Sequence, residues 1–185
     1  MEEKATRRAL LILALFCLSY ASLVESSENA GSAALAKLRA LAGEWEGTFE
    51  WTGARTGSGT MHVSYSLTGY GSAVVENLSS GGDPSMTTVY HLDGADLRMT
   101  HFCGAQNQPR LKASRIDLAD GVVDFSFVDI TNLKSPDAPH VYGAELRFID
   151  ADHITLTFLF ESGAQKSRER IVLKRLSSRA PRTSG

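Results

Sequence analysis

Two hydrophobic periods divide the chain. In "NAGSAALAKLRALAG" alanines and leucines recur at helical spacing and stop at Gly43, which predicts a short helix over 33–41. From Gly43 onward the period becomes two. In "GEWEGTFEWT", Trp45, Gly47, Phe49 and Trp51 share one face and Glu44, Glu46, Thr48 and Glu50 the other, so one face is core and the other water. The same alternation predicts strands near 60–67, 72–78, 86–92, 97–103, 110–117, 122–128, 141–149, 154–160 and 167–173. Turn residues separate them and no second helix is long enough for a parallel crossover, so about ten strands run as an antiparallel meander. The expected fold is all-β. A meander with one apolar face closes most economically into an up-and-down barrel, which removes its exposed edges, with a two-sheet sandwich as the alternative.

The N-terminus carries a different pattern. Lys4, Arg7 and Arg8 precede the apolar run "ALLILALFCLSYA", and Ser19, Tyr20 and Ala21 offer a small-x-small cleavage site. This reads as a signal peptide over 1–21, followed by a disordered spacer over 22–32, the barrel domain over 33–175 and a disordered tail over 176–185. The apolar run falls short of the about 20 residues that span a bilayer, so no stable membrane span is expected after cleavage. Cys17 does not make a lipoprotein signal, because Phe16 stands where a small residue is needed. Export to a periplasm or the exterior is the expected location. Cleavage after Ala21 leaves Cys103 as the one cysteine, so stability must come from the core rather than from an internal disulfide. Asn77-Leu78-Ser79 fits a glycosylation acceptor, a match common by chance and without meaning in most bacteria.

With 43% hydrophobic residues and a net charge of -2, the 185-residue chain can build one packed domain and is not an electrostatic binder of nucleic acid. The C-terminal basic residues alternate in "SRERIVLKR", as the solvated face of a strand does.

Connections of a meander alternate between the two barrel ends. At one end fall "GARTGSG", "SSGGDPS", "GAQNQP", "DITNLKSPDAPH" and "ESGAQ"; at the other, "TGYG", "DGAD", "LADG" and "DAD". The long-loop rim is therefore the expected mouth of any cavity. In "VYHLDGADLRMTHFCG" the turn has two or four residues, and an even length keeps Tyr90, Leu92, Leu97 and Met99 on one face with His101 and Cys103. That face is apolar, so His101 and Cys103 point inward near the rim. The same parity carries Val123, Phe125 and Phe127 to Asp129, and Tyr142, Ala144, Leu146 and Phe148 to His140. His62 and His91 fall on the solvent side.

Gly43-Glu44-Trp45, opening the first strand after a short helix, resembles the G-x-W start of the calycin superfamily, which includes the lipocalins, the fatty-acid-binding proteins and the nitrobindin-like haem barrels. The resemblance covers the architecture from about Ala33 to Leu173. Lipocalins pair that tryptophan with an arginine on the last strand, and Arg168 or Arg170 is implied here. Nitrobindin-like barrels imply a haem held by a histidine late in the chain; the last histidine here is His153, in the turn "DADH" at the closed end. "YHLDGADLRMTHFCGAQNQPR" and "FVDITNL" also resemble segments of uncharacterised bacterial exported proteins of lipocalin-like type, which implies no activity.

Inward polar groups need partners or a task. His101, Cys103, Asp129 and His140 can form a hydrogen-bonded plug at the mouth, satisfied by Asn107, Gln108 and Asn132, or can orient a ligand in an apolar pocket. Metal is the third option, with His101 and His140 as candidate ligands of zinc or haem iron, although their spacing is no known metal signature. No cofactor is otherwise expected. Catalysis has no support: His101 and Cys103 lie side by side on one wall, and no H-E-x-x-H, G-x-S-x-G, phosphate loop or CxxC occurs. The leading reading is an exported lipocalin-like barrel that binds a small, largely apolar or amphipathic molecule through Trp45, Phe49, Tyr65, Tyr90, Met99, Phe125, Phe127 and Phe158, with His101, Cys103, Asp129 and His140 at its polar end. The alternatives are a haem- or metal-binding barrel and a non-catalytic partner-binding module of the envelope.

Overall fold

A computed structural model describes residues 30–82 and 85–177; the stretch read as a signal peptide, residues 22–29 of the stretch read as spacer and most of the C-terminal tail lie outside the described residues. Helix α1 spans 30–39 and so begins inside the stretch read as spacer. Ten strands follow: β1 (Gly43–Gly53), β2 (Gly57–Thr68), β3 (Ala73–Ser79), β4 (Met86–Asp93), β5 (Asp96–Phe102), β6 (Gln108–Asp117), β7 (Val122–Thr131), β8 (His140–Phe148), β9 (His153–Ser162) and β10 (Gln165–Arg175). Each pairs antiparallel with its neighbours in sequence, and β1 pairs with β10, which closes the barrel. The period-two pattern dictates this outcome, because an open sheet would leave the apolar rows of β1 and β10 unpaired at two edges.

Glycine is needed at Gly43 by the backbone conformation and at Gly47 by lack of space. Gly43 turns the chain from α1 into β1 at φ +129°, and a Cβ there would meet the Arg175 guanidinium. At Gly47 a Cβ would sit 1.8 Å from the Val172 carbonyl oxygen, so the close crossing of β1 over β10 requires glycine.

The tight-turn end is sealed. Ala34, Leu35, Leu38 and Leu41 of α1 are buried and join Trp45, Leu97, Ile154 and Leu173 in one core. The Trp45 indole donates to the Leu41 carbonyl at 2.8 Å. Arg175 lies 4.3 Å over the Trp45 ring and donates to the carbonyls of Ala40 and Ala42 at 2.8 and 3.0 Å, satisfying the end of α1. The arginine that covers the tryptophan is thus Arg175, not Arg168 or Arg170. Those two occupy the even positions of β10, which are exposed, while Glu169, Ile171 and Leu173 are buried.

Register decides what else enters the barrel. Leu92 pairs with Leu97 and Thr88 with His101 around a two-residue Gly94-Ala95 turn, so Tyr90, Met99 and His101 are all buried inside. On β7 and β8 irregularities overturn the parity expectations. Arg110 pairs with Asp129 but Leu111 with Phe127, so Val128 is an extra residue. Past this bulge Asp129 turns outward and binds Arg110 in a bidentate pair, Nη2 to Oδ2 at 2.7 Å. Phe127 keeps its pairing with the buried Leu111 but is 41% exposed. β7 also leaves β8 after Ser126, which deprives Phe127 of a neighbouring wall. A second irregularity at Tyr142 buries Val141 and leaves Tyr142 half-buried beneath the Lys166 ammonium, 4.7 Å from the ring.

Candidate functional site: a cavity at the long-loop rim

The barrel interior has two storeys above the sealed end. The lower one is filled. Glu76 of β3 accepts from Tyr65 at 2.6 Å and from Tyr90 at 3.1 Å, and Thr88 bonds it as well. Thr88 Oγ1 also lies 2.9 Å from His101 Nδ1. The His101 ring packs against Phe158, with centroids 4.7 Å apart. Every member is at most 3% exposed. Burial pushes the Glu76 carboxyl up, opposed by the three hydroxyls that donate to it. It pushes His101 down to about 4, which keeps the ring neutral.

The upper storey is a cavity of about 600 Å³ that opens at the rim. Phe49 and Trp51 of β1, Met61 of β2, Met86 of β4 and Phe160 of β9 form its apolar wall. Ala54, Ser80, Cys103, Pro139 and Ser162 bring one residue from or beside each of the five long-loop connections to its mouth. Asn107 donates to the Pro139 carbonyl at 2.9 Å and so fastens two of those loops together.

Polar chemistry in this cavity centres on Glu169 of β10. Its side chain is 3% exposed, it receives a hydrogen bond from the Trp51 indole, and its Oε2 has no partner among the described residues. Burial pushes its carboxyl up to about 7, and the guanidinium of Arg55 pulls the other way. Arg55 itself lies 4.0 Å over the Trp51 ring. Cys103 reaches the cavity too, with the Ala105 amide 3.4 Å from its sulfur; burial raises its thiol, the reverse of nucleophile activation.

Of the residues nominated from the sequence, Phe49 and Cys103 line this cavity. Trp45, Tyr65, Tyr90, Met99, His101, Phe125 and Phe158 lie buried in the packed interior and are not among its walls. His140 is buried at the rim, its Nδ1 2.9 Å from the Ala138 carbonyl, its Nε2 3.3 Å from Glu161, and its ring beside Phe127. Asp129 stays on the outer face. Asn107, Gln108 and Asn132 do not serve the histidines; Gln108 instead accepts from Thr131 and Asn132. Glu169, Trp51 and Phe160 were missed as site residues, although Trp51 was read on the core face with Phe49 and Phe160 shares strand parity with Phe158; Glu169 shares parity with the buried Ile171, a position to which no inward reading was given.

Haem, which the nitrobindin-like resemblance implies, finds no histidine among the cavity walls. His101 meets Thr88 through Nδ1 and packs on Phe158, and its Nε2, without a partner among the described residues, lies in the packed interior away from the cavity walls; His140 meets Glu161, and no three of His, Cys, Asp and Glu gather as a metal site among the described residues. The residues present therefore do not fit a histidine-ligated haem, and no chemistry is derived through one. No helix among the described residues is long and apolar enough to cross a membrane.

No family model and no curated protein matches the chain. Solved structures do. The M. tuberculosis protein Rv2717c is similar at 16% identity and a TM-score of 0.53, over 78% of this chain and 98% of that one. A protein of unknown function from the DUF3598 family of Nostoc punctiforme is similar at 15% identity and a TM-score of 0.52, over 75% of this chain and 49% of the other, about half of its length. At these identities the likeness shows the fold alone: a closed ten-stranded antiparallel barrel of calycin-like form.

Proposed function

We propose that this chain is an exported, lipocalin-like binding protein that holds one small, largely apolar molecule in the upper half of its barrel. The observation that carries the reading is the division of the interior. Below, side chains fill the barrel and a sealed base closes it; above, an aromatic- and methionine-lined cavity of about 600 Å³ opens among the long loops. A volume in the range of small-molecule sites, apolar walls and a few buried polar groups are the features of a ligand pocket. The cationic, apolar N-terminal run supports export, which leaves a periplasmic or secreted protein. Burial raises the Cys103 thiol at the cavity mouth, the reverse of nucleophile activation, which supports binding rather than turnover.

Titration with N-phenyl-1-naphthylamine tests this. Saturable, one-to-one fluorescence enhancement is expected, and Ser167→Phe, which places a ring in the cavity from β10, should abolish it while leaving the circular dichroism spectrum unchanged. Enhancement of equal size in that variant would locate the probe elsewhere and overturn the reading.

A further inference from the structure

We infer that the cavity selects an apolar molecule headed by an ammonium group, received by Oε2 of Glu169 and the faces of Trp51 and Phe160. The inference rests on the binding reading above and names its ligand class. Glu169 is more than nine-tenths buried, lines the cavity and keeps one carboxylate oxygen without a partner among the described residues. A buried acceptor left open is costly unless a donor arrives to fill it. Beside it, the Trp51 and Phe160 rings meet at 59° with centroids 4.9 Å apart, two walls of a corner. The Trp51 face already attracts a cation, since the Arg55 guanidinium lies over it at 4.0 Å.

An ammonium adds a charge-assisted hydrogen bond and a cation–π contact, whereas a hydroxyl adds a neutral hydrogen bond only and a carboxylate adds repulsion. The charged and titratable groups facing Glu169 are Arg55 from the β1–β2 connection, the Cys103 thiol and, on the neighbouring β9, Glu161, which is paired with His140 and Lys166. Among the described residues Arg55 is the one cation lining the cavity, and it competes for the same ring. Because the Glu169 carboxyl ionises near pH 7, ammonium affinity should rise as pH increases through that value.

Calorimetric titration of the full chain with 1-naphthylmethylamine, 1-naphthylmethanol and 1-naphthaleneacetic acid tests the inference. At pH 8 the amine should bind about tenfold more tightly than the alcohol, with the acid weakest. At pH 6 the amine's advantage should shrink. Glu169→Gln should abolish the amine's advantage over the alcohol, while Arg55→Ala should tighten the amine. Equal affinity for all three probes, preference for the acid, or an amine preference that survives Glu169→Gln would overturn the ammonium assignment and leave an apolar pocket standing. Failure of every naphthyl probe to bind folded protein would overturn both readings. Should Glu169→Gln not fold, the wild-type pH profile and Arg55→Ala decide the matter.

Discussion

Glu76 and Glu169 are two buried carboxyls inside one barrel, and their surroundings are opposite. Glu76 sits in the filled storey with both oxygens engaged by tyrosine hydroxyls and Thr88 beside them. Glu169 sits in the open storey with one oxygen engaged by Trp51 and the other unmatched by the described residues. Burial raises both, so burial alone does not separate structure from function. Completeness of the hydrogen-bond shell does: a saturated carboxyl locks neighbours together, and an unsaturated one beside empty space awaits a partner.

The sharpest way to break this contrast is to delete each carboxyl. Glu76→Ala strands the hydroxyls of Tyr65, Tyr90 and Thr88 in a dry core and should lower unfolding free energy by about 3–5 kcal/mol in urea denaturation. Glu169→Ala, at the edge of a cavity, should change it by less than about 1 kcal/mol. Equal losses would mean that the upper storey is as structural as the lower.

His101 supplies the next effect. Its pKa in the fold, about 4, lies below the ordinary histidine value, so the neutral ring stabilises the fold fully above about pH 6.5, and this contribution is lost as pH falls toward 4. The loss should approach about 3 kcal/mol, an order-of-magnitude figure, across that window. His101→Asn keeps a polar atom near Thr88 and removes the titration, so its thermal midpoint should fall less steeply than wild type between pH 6.5 and 4.5. Parallel curves would show that His101 is not the group responsible.

These effects bear on how far the molecule was legible in its sequence. Alternation in "GEWEGTFEWT" and its successors sufficed for ten strands, the closed barrel and the long-loop rim, because a period of two with short turns leaves few other ways to bury the apolar face. Parity stayed reliable on β4 and β5, where a two-residue turn keeps the register even. It failed on β7, where one extra residue at Val128 turns Asp129 outward with no glycine to announce the bulge; on β8 the extra residue Tyr142 leaves the inner row although His140 stays buried, and there Gly143 was the local signal. The height of a residue along the barrel axis was not legible either. Tyr65 and Phe49 are both inward aromatics, yet one is buried in packed core and the other borders the cavity, a distinction set by closure and strand stagger.

Arg175 sharpens the comparison from below, since a cavity above requires a firm base. It ties the carbonyls of Ala40 and Ala42 and the ring of Trp45 to the end of β10. Arg175→Ala should lower stability by about 2 kcal/mol through lost charge-assisted bonds at the helix terminus, seen as faster amide exchange in α1. Arg168→Ala, on the exposed face, should be near neutral and so separates a base-sealing role from a general charge effect.

The smallest expected effect has the opposite sign. Glu169 has a folded pKa of about 7, above the ordinary carboxyl value of 4.5, so the folded state holds its proton more tightly than the unfolded chain. That contribution is fully present below about pH 4.5 and is lost as pH rises through about 7. Glu169→Gln removes the ionisation and should stabilise the protein at pH 8 by about 1 kcal/mol relative to wild type, with little difference at pH 5. A saturating amine should cancel this advantage, because it stabilises the wild-type carboxylate that the glutamine cannot reproduce. Thermal midpoints at the two pH values, with and without 1-naphthylmethylamine, measure it. A wild-type protein more stable than Glu169→Gln at pH 8 without amine would show that the carboxylate already has its partner, and the difference between Glu76 and Glu169 would vanish.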